Sequence, residues 1–280
     1  MNTAPDFRTP RVLGRSGLTV GRLGLASSYG APASAYCRAF ERGCNYYYWG
    51  SIRTKAMADA IRDLAPSSRE KIVVVLQSYS RYGWRLTPKI ESGLRALKLD
   101  YADILLLGLH NTIPRDAVME SALRLKERGH VRHIAVSAHH RPIFEQYAND
   151  RRFDVLMLRY NAAHRGAEEQ VFTALTSAAI ARPGIVSYTA TRWGTLINPR
   201  YTPPGARTPT ATDCYRFVLS NANVDICLTG PASTGEMEMN LRALELGPLS
   251  PDELQWMRAV GDHVHKLTAR SCNPLMQRTQ

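Results

Sequence analysis

The chemistry of this chain starts from a run of phenols. Tyr46-Tyr47-Tyr48-Trp49 is followed by Arg53, five residues after Tyr48. A free phenol has a pKa near ~10 and moves protons poorly at neutral pH. A nearby guanidinium favours its ionised form, so Tyr48 with Arg53 is a candidate proton donor. Tyr29 offers a second phenol. A phenol with a nearby cation suits general acid–base work. His139-His140 does not read as a metal pair, because adjacent residues rarely bring both imidazoles to one ion and no carboxylate spacing supports it. The five cysteines, Cys37, Cys44, Cys214, Cys227 and Cys272, are far apart and show no C-x-x-C spacing. They read as reduced thiols of a cytoplasmic protein.

Such groups need a frame. Short β-branched runs recur at Arg22–Ser27, Cys44–Tyr48, Ile72–Gln77, Asp103–Gly108, Val131–Ser137, Asp154–Arg159, Gly184–Tyr188 and Val224–Thr229. Amphipathic stretches alternate with them at Ala33–Arg42, Lys55–Leu64, Pro88–Lys98, Pro114–Arg128, Pro142–Asn149, Ala167–Ile180 and Thr212–Leu219. Proline near the start of several of these suits a first helical turn, and Gly129 suits a helix end. Eight strands alternating with helices predict a (β/α)8 TIM barrel with its functional face at the C-terminal strand ends. An open doubly wound sheet would carry G-x-G-x-x-G after its first strand, and Gly24-Leu25-Ala26-Ser27-Ser28-Tyr29-Gly30 does not fit. Within the second strand Tyr46 and Tyr48 share one face while Tyr47 takes the other. Residues 198–212 read as one long loop on the functional face and 269–280 as a loose tail.

Bulk properties bound the function. The chain has 280 residues, a formal net charge of +12 and 44% hydrophobic residues, which suits a single domain over 1–280 with a sizeable core. The positive charge is mostly scattered arginine, with no nucleic-acid module beside it, so nucleic-acid binding is not expected. Apolar runs such as Ile104-Leu105-Leu106-Leu107 are too short to span a bilayer, and residues 1–9 hold no apolar signal core. The expected setting is the cytoplasm and the expected partner a small molecule. Monomer and homo-oligomer stay equally open.

Several segments, taken in order, resemble the aldo-keto reductases. Residues 13–24, LGRSGLTVGRLG, look like their N-terminal hairpin and first strand, and Gly43-Cys44-Asn45-Tyr46-Tyr47 like their second. Residues 97–107, LKLDYADILLL, are similar to the approach to their fourth strand. Residues 125–137, LKERGHVRHIAVS, resemble their K-x-G-K-I-R-x-I-G-V-S signature. Arg159-Tyr160-Asn161 and Gly230-Pro231-Ala232-Ser233 with Asn240 complete the match, which covers roughly 11–266. The resemblance implies a barrel with an N-terminal β-hairpin and C-terminal helices. It also implies NADP(H)-dependent reduction of carbonyl compounds, in which a tyrosine tuned by a lysine donates the proton.

The chain departs from that pattern. The aspartate position holds Tyr48, the lysine position Gln77, the histidine position Gly108, and the tyrosine position, five residues after the aspartate, falls on Arg53. His110 stands two residues beyond Gly108 as a substitute imidazole. The cofactor residues that the resemblance implies are Ser137, Asn161, Tyr188, Gly230, Ser233, Glu236 and Asn240. Ala138 and Met157 replace the expected Asn and Gln, and Ala232 stands where a cation grips the 2′-phosphate. Arg192 or Arg207 would then be the compensating grip. Three readings stay open. One is an NADP(H)-linked oxidoreductase with an altered proton relay. Another is a catalytically silent barrel that binds a small molecule or a protein. The third is a non-redox enzyme using Tyr48, Arg53 and His110.

Overall fold

A computed structural model of the chain describes residues 6–50, 52–176 and 181–271. It forms a closed barrel of eight parallel strands. A two-stranded antiparallel hairpin comes first, β1 (Arg11–Val12) and β2 (Thr19–Val20). The barrel strands are β3 (Leu23–Ala26), β4 (Tyr46–Trp49), β5 (Val73–Ser78), β6 (Ala102–Leu107), β7 (Val131–Ser137), β8 (Val155–Arg159), β9 (Gly184–Tyr188) and β10 (Ile226–Thr229). They pair in sequence order, and β10 closes on β3 through Cys227 opposite Leu23.

The helices are α1 (Ala33–Glu41), α2 (Lys55–Ser68), α3 (Gly83–Leu97), α4 (Asp116–Glu127), α5 (Ile143–Asn149), α6 (Thr173–Thr176), α7 (Ala211–Leu219), α8 (Thr234–Leu246) and α9 (Pro251–Ser271). Two of them outrun their prolines. α3 begins at Gly83, five residues before Pro88, and α2 continues past Pro66. Each proline removes one internal hydrogen bond, which packing against the barrel outweighs. A π-type turn over Glu168–Phe172 precedes α6. The last four residues of the helix expected over Ala167–Ile180 lie outside the described residues, as do Cys272 and the expected tail from residue 272 onward; the first residues of that tail, 269–271, instead end α9. Among the described residues no helix is long and apolar enough to cross a membrane.

Two apolar layers follow from strand parity. Inward positions Tyr46, Val73, Val75, Ile104, Leu106, Ala135, Val155, Met157, Val186, Ile226 and Leu228 fill the barrel. Outward positions such as Leu25, Tyr47, Val74, Leu105, Leu156 and Ile185 pack beneath the helices. Gly24 is required on the inner face of β3, since a β-carbon there would meet Leu228 and Ile226 side chains at 2.7 and 2.9 Å. Leu13 and Val20 of the hairpin segment join the inner layer and plug the N-terminal end of the barrel. Only the C-terminal strand ends remain open to a ligand.

Candidate active site

A cavity of about 830 Å3 occupies those open ends, a size in the range of small-molecule and cofactor sites. Its floor is formed by inward residues near the C-terminal ends of the strands: Ala26, Tyr48, Leu106, Ser137, Met157, Tyr188 and Leu228. Parity explains the set. Tyr48 follows Tyr46, Ser137 follows Ala135 and Tyr188 follows Val186, each one inward step closer to the mouth. The cavity extends past Thr189–Gly194 and Pro209–Ala211 to Gly230, Glu236 and Asn240 beside α8.

Tyr48 and Gln77 meet. The Tyr48 hydroxyl donates to Gln77 Oε1. Burial pushes the Tyr48 phenol well above its ordinary pKa, and the neighbouring phenols of Tyr79, Tyr46 and Tyr188 push the same way. No cation opposes the shift, so this phenol stays neutral across physiological pH. It is a fixed hydrogen-bond donor rather than a tuned acid.

Arg53 and His110 do not join it. Arg53 is exposed at φ 49°, with Nη1 3.4 Å from the carbonyl oxygen of Tyr29. His110 is buried outside the cavity. Leu109, at φ 55°, turns the chain so that the His110 Nε2 accepts from Arg81 Nη1 at 3.2 Å. Its backbone is held by Ser137 O at 2.7 Å and by the Tyr147 hydroxyl at 2.9 Å. Desolvation, aided by the Arg81 charge, lowers the imidazole pKa to about 4. The expectation that these two side chains supply a cation and an imidazole at the barrel mouth is therefore corrected: both loops turn them away.

Tyr79 takes the space in their place. A β-carbon at Gly108 would lie 2.5 Å from Tyr79 Cδ1, so the ring sits directly over the glycine. Tyr79 lines the cavity beside Tyr48. A second ring is seated the same way at the far side, where Tyr29 covers Gly230 and a β-carbon would reach 3.2 Å from its Cγ. Sequence reasoning passed over Tyr79. The one signal for it was a glycine at the end of β6, which leaves room for a neighbour's ring.

The residues expected to hold a cofactor divide. Ser137, Tyr188, Gly230, Glu236 and Asn240 line the cavity, whereas Asn161 and Ser233 do not. Asn161 is fully buried and structural: its Nδ2 donates to Thr189 O at 2.9 Å and its Oδ1 accepts from Ala163 N at 3.0 Å. Ser233 caps α8 by accepting from Glu236 N at 3.1 Å. Ser137 Oγ accepts from Leu109 N at 2.9 Å, which leaves its own hydroxyl proton for a ligand. Asn240 Nδ2 donates to Thr229 Oγ1 at 2.8 Å. The Tyr188 ring borders the cavity, and its buried hydroxyl has no hydrogen-bond partner among the described residues. The two arginines expected to compensate for Ala232 are committed elsewhere. Arg192 bonds His164 Nε2 and Thr268 Oγ1, both at 2.7 Å. Arg207 pairs with Asp213 at 3.2 Å and lies 3.9 Å over the Trp256 ring.

A closed barrel with a plugging hairpin, a mouth layer at Tyr48, Gln77, Gly108, Ser137 and Tyr188, and α8 beside the cavity is a specific arrangement. It matches solved structures over nearly the whole chain. Aldo-keto reductase AKR11C1 from Bacillus halodurans in its holo form superposes with a TM-score of 0.74 at 19% identity, covering 90% of this chain and 95% of that one. The chain has the aldo-keto reductase fold. An aldo/keto reductase from Klebsiella pneumoniae, solved with NADP and acetate, has a TM-score of 0.71 at 18% identity, with 88% and 93% covered. No protein-family model and no curated protein sequence matches the chain. At this identity the aldo-keto reductase likeness establishes the frame, and the chemistry has to be argued from the site.

Proposed function

We propose that the cavity binds a nicotinamide dinucleotide and that the chain is an oxidoreductase acting without a phenol–lysine proton relay. One observation carries this reading: a single cavity runs from Ser137 and Tyr188 at the barrel centre to Gly230, Glu236 and Asn240 at α8. An elongated ligand with a flat ring at one end fits that course. The NADP complex of the Klebsiella protein supports the same class of cofactor.

The residues present fit such a group at its ring end. Tyr188 offers a flat face at the cavity wall, and its unpartnered hydroxyl lacks only an acceptor or donor. Ser137 retains a hydroxyl proton to donate to an amide oxygen. A bound reduced nicotinamide supplies hydride, which is the cofactor's own chemistry. The chain's residues bind and orient. Tyr48, held neutral by burial and with its one hydroxyl proton donated to Gln77, shapes the mouth and gives no proton to an acceptor. Protons then come from solvent at the mouth. Acceptors that need little acid assistance, such as imines or conjugated double bonds, suit this arrangement.

The test is twofold. Titration with reduced dinucleotide, followed by its fluorescence, should show saturable binding. Oxidation at 340 nm with a panel of imines, enones and aldehydes should show turnover. A second reading, a barrel that binds without turnover, is favoured by the seating of Tyr79 where the fold's histidine is expected. Binding with no turnover on any acceptor selects it. Absence of binding removes both.

A further inference from the structure

Resting on the dinucleotide reading, we propose that the cavity selects NAD(H) over NADP(H), and that Glu236 is the residue that makes the choice. The chain carries 36 Lys and Arg and a net charge of +12. Yet among the described residues none that lines the cavity is lysine or arginine; Glu236 is the one lining carboxylate, and the one lining imidazole, His139, is pushed toward its neutral form by desolvation and by the Arg159 charge. A cavity so free of cations in so basic a chain is a property of the site, not of the composition.

Glu236 is held in place. Its Oε2 accepts from Ala232 N at 2.8 Å, and Ser233 Oγ accepts from its own backbone N at 3.1 Å. These two bonds fix the carboxylate at the first turn of α8, at the Gly230 end of the cavity. Oε1 has no hydrogen-bond partner among the described residues. Arg53 reaches the Tyr29 carbonyl, and four further arginines are committed elsewhere. Arg38 of α1 and Arg42 just after it pair with Glu238, further along α8, and Arg42 also with Glu245. Arg207 and Arg192 are tied to Asp213 and His164 as described above.

A phosphate monoester carries close to two negative charges at neutral pH and is repelled by a fixed carboxylate with no cation between them. A ribose diol does the opposite: its hydroxyl donates to the free carboxylate oxygen, the same discrimination an acidic residue performs in doubly wound dinucleotide folds. The carboxylate is exposed, so the effect is screened and shrinks with salt. A preference of about tenfold corresponds to ~1.4 kcal/mol, the scale of one charged hydrogen bond gained against one repulsion relieved.

The experiment is a fluorescence titration of the full chain with NADH and with NADPH at low ionic strength. It compares wild type, Glu236→Gln and Ala232→Lys, the last leaving Glu236 itself in place, with folding checked by melting temperature. Wild type should bind NADH about tenfold or more tightly than NADPH. Glu236→Gln and Ala232→Lys should each narrow that ratio by strengthening NADPH binding. Equal or tighter NADPH binding by wild type, or a ratio untouched in both variants, overturns the assignment and leaves the dinucleotide reading standing. Failure of folded wild type to bind either dinucleotide removes that reading and this inference with it.

Discussion

Tyr79 stands on Gly108. The glycine at the end of β6 is the only residue type that admits the ring, because a β-carbon would come 2.5 Å from Tyr79 Cδ1. The glycine at the histidine position and the phenol from the loop after β5 thus form one arrangement in space. Gly108→Ala should destabilise the fold by about 1–3 kcal/mol, the usual range for overpacking. Tyr79→Ala in the same chain should recover most of that loss. Denaturant unfolding of the two single variants and the double variant measures the coupling, and additive effects would show that the ring does not sit there.

Tyr48 is neutral because nothing nearby is positive. Burial and the phenols around it raise its pKa, and Gln77 takes its proton in a hydrogen bond without lending charge. Gln77→Lys places an ammonium at that bond. The Tyr48 phenol should then titrate at least one to three units lower, the usual effect of an adjacent opposite charge. Phenolate absorbance in a difference titration against Gln77→Lys/Tyr48→Phe isolates this residue. An unchanged spectrum would mean that the two side chains are not in contact.

The Tyr188 hydroxyl is buried without a partner, and burial has pushed its pKa to about 12. A lone buried hydroxyl is a net cost to the fold. Tyr188→Phe should leave the melting temperature of the ligand-free protein unchanged or raise it, by up to about 1 kcal/mol in stability. Reduced dinucleotide should protect the variant less than wild type if the bound ligand gives this hydroxyl its partner. A clear loss of ligand-free stability would show that this hydroxyl has a structural bond.

His110 links the site region to acid stability. Its native pKa is lowered to about 4 from the usual 6.5, so between those values the unfolded chain binds the extra proton. Stability from this residue is complete above about 6.5 and is lost as pH falls through that window. His164, lowered to about 3 by desolvation and Arg192, acts in the same direction. His110→Gln should flatten the slope of melting temperature against pH between 4 and 6.5. An unaltered slope would place the imidazole in solvent.

Much of this was legible in the sequence. β7 and β9 have the bounds their residues predict, and strand parity alone sets Tyr48, Ser137 and Tyr188 at the mouth and Tyr47 in the outer layer. Parity fails where the strand stops. Arg53 and Leu109 adopt positive φ, which no residue-type pattern at those positions announces, and so Arg53 and His110 point elsewhere than expected. Asn161 and Ser233 carry motif positions yet serve local backbone bonds, because a motif records a residue's place in a loop and not its free hydrogen-bonding capacity. Tyr79 was unreadable for the complementary reason: only the three-dimensional gap over Gly108 assigns it a place.

On the proposed reading, this barrel binds a dinucleotide while its Tyr48–Gln77 pair does no proton transfer. The most direct test is the single-turnover rate of hydride transfer from reduced dinucleotide, measured against pH in wild type and Tyr48→Phe. The prediction is measurable transfer in both, within about tenfold of each other, with no ionisation assignable to Tyr48, since one lost neutral hydrogen bond is worth about 0.5–1.5 kcal/mol. Transfer that vanishes in Tyr48→Phe, or a wild-type profile whose tyrosine ionisation disappears in that variant, would contradict it.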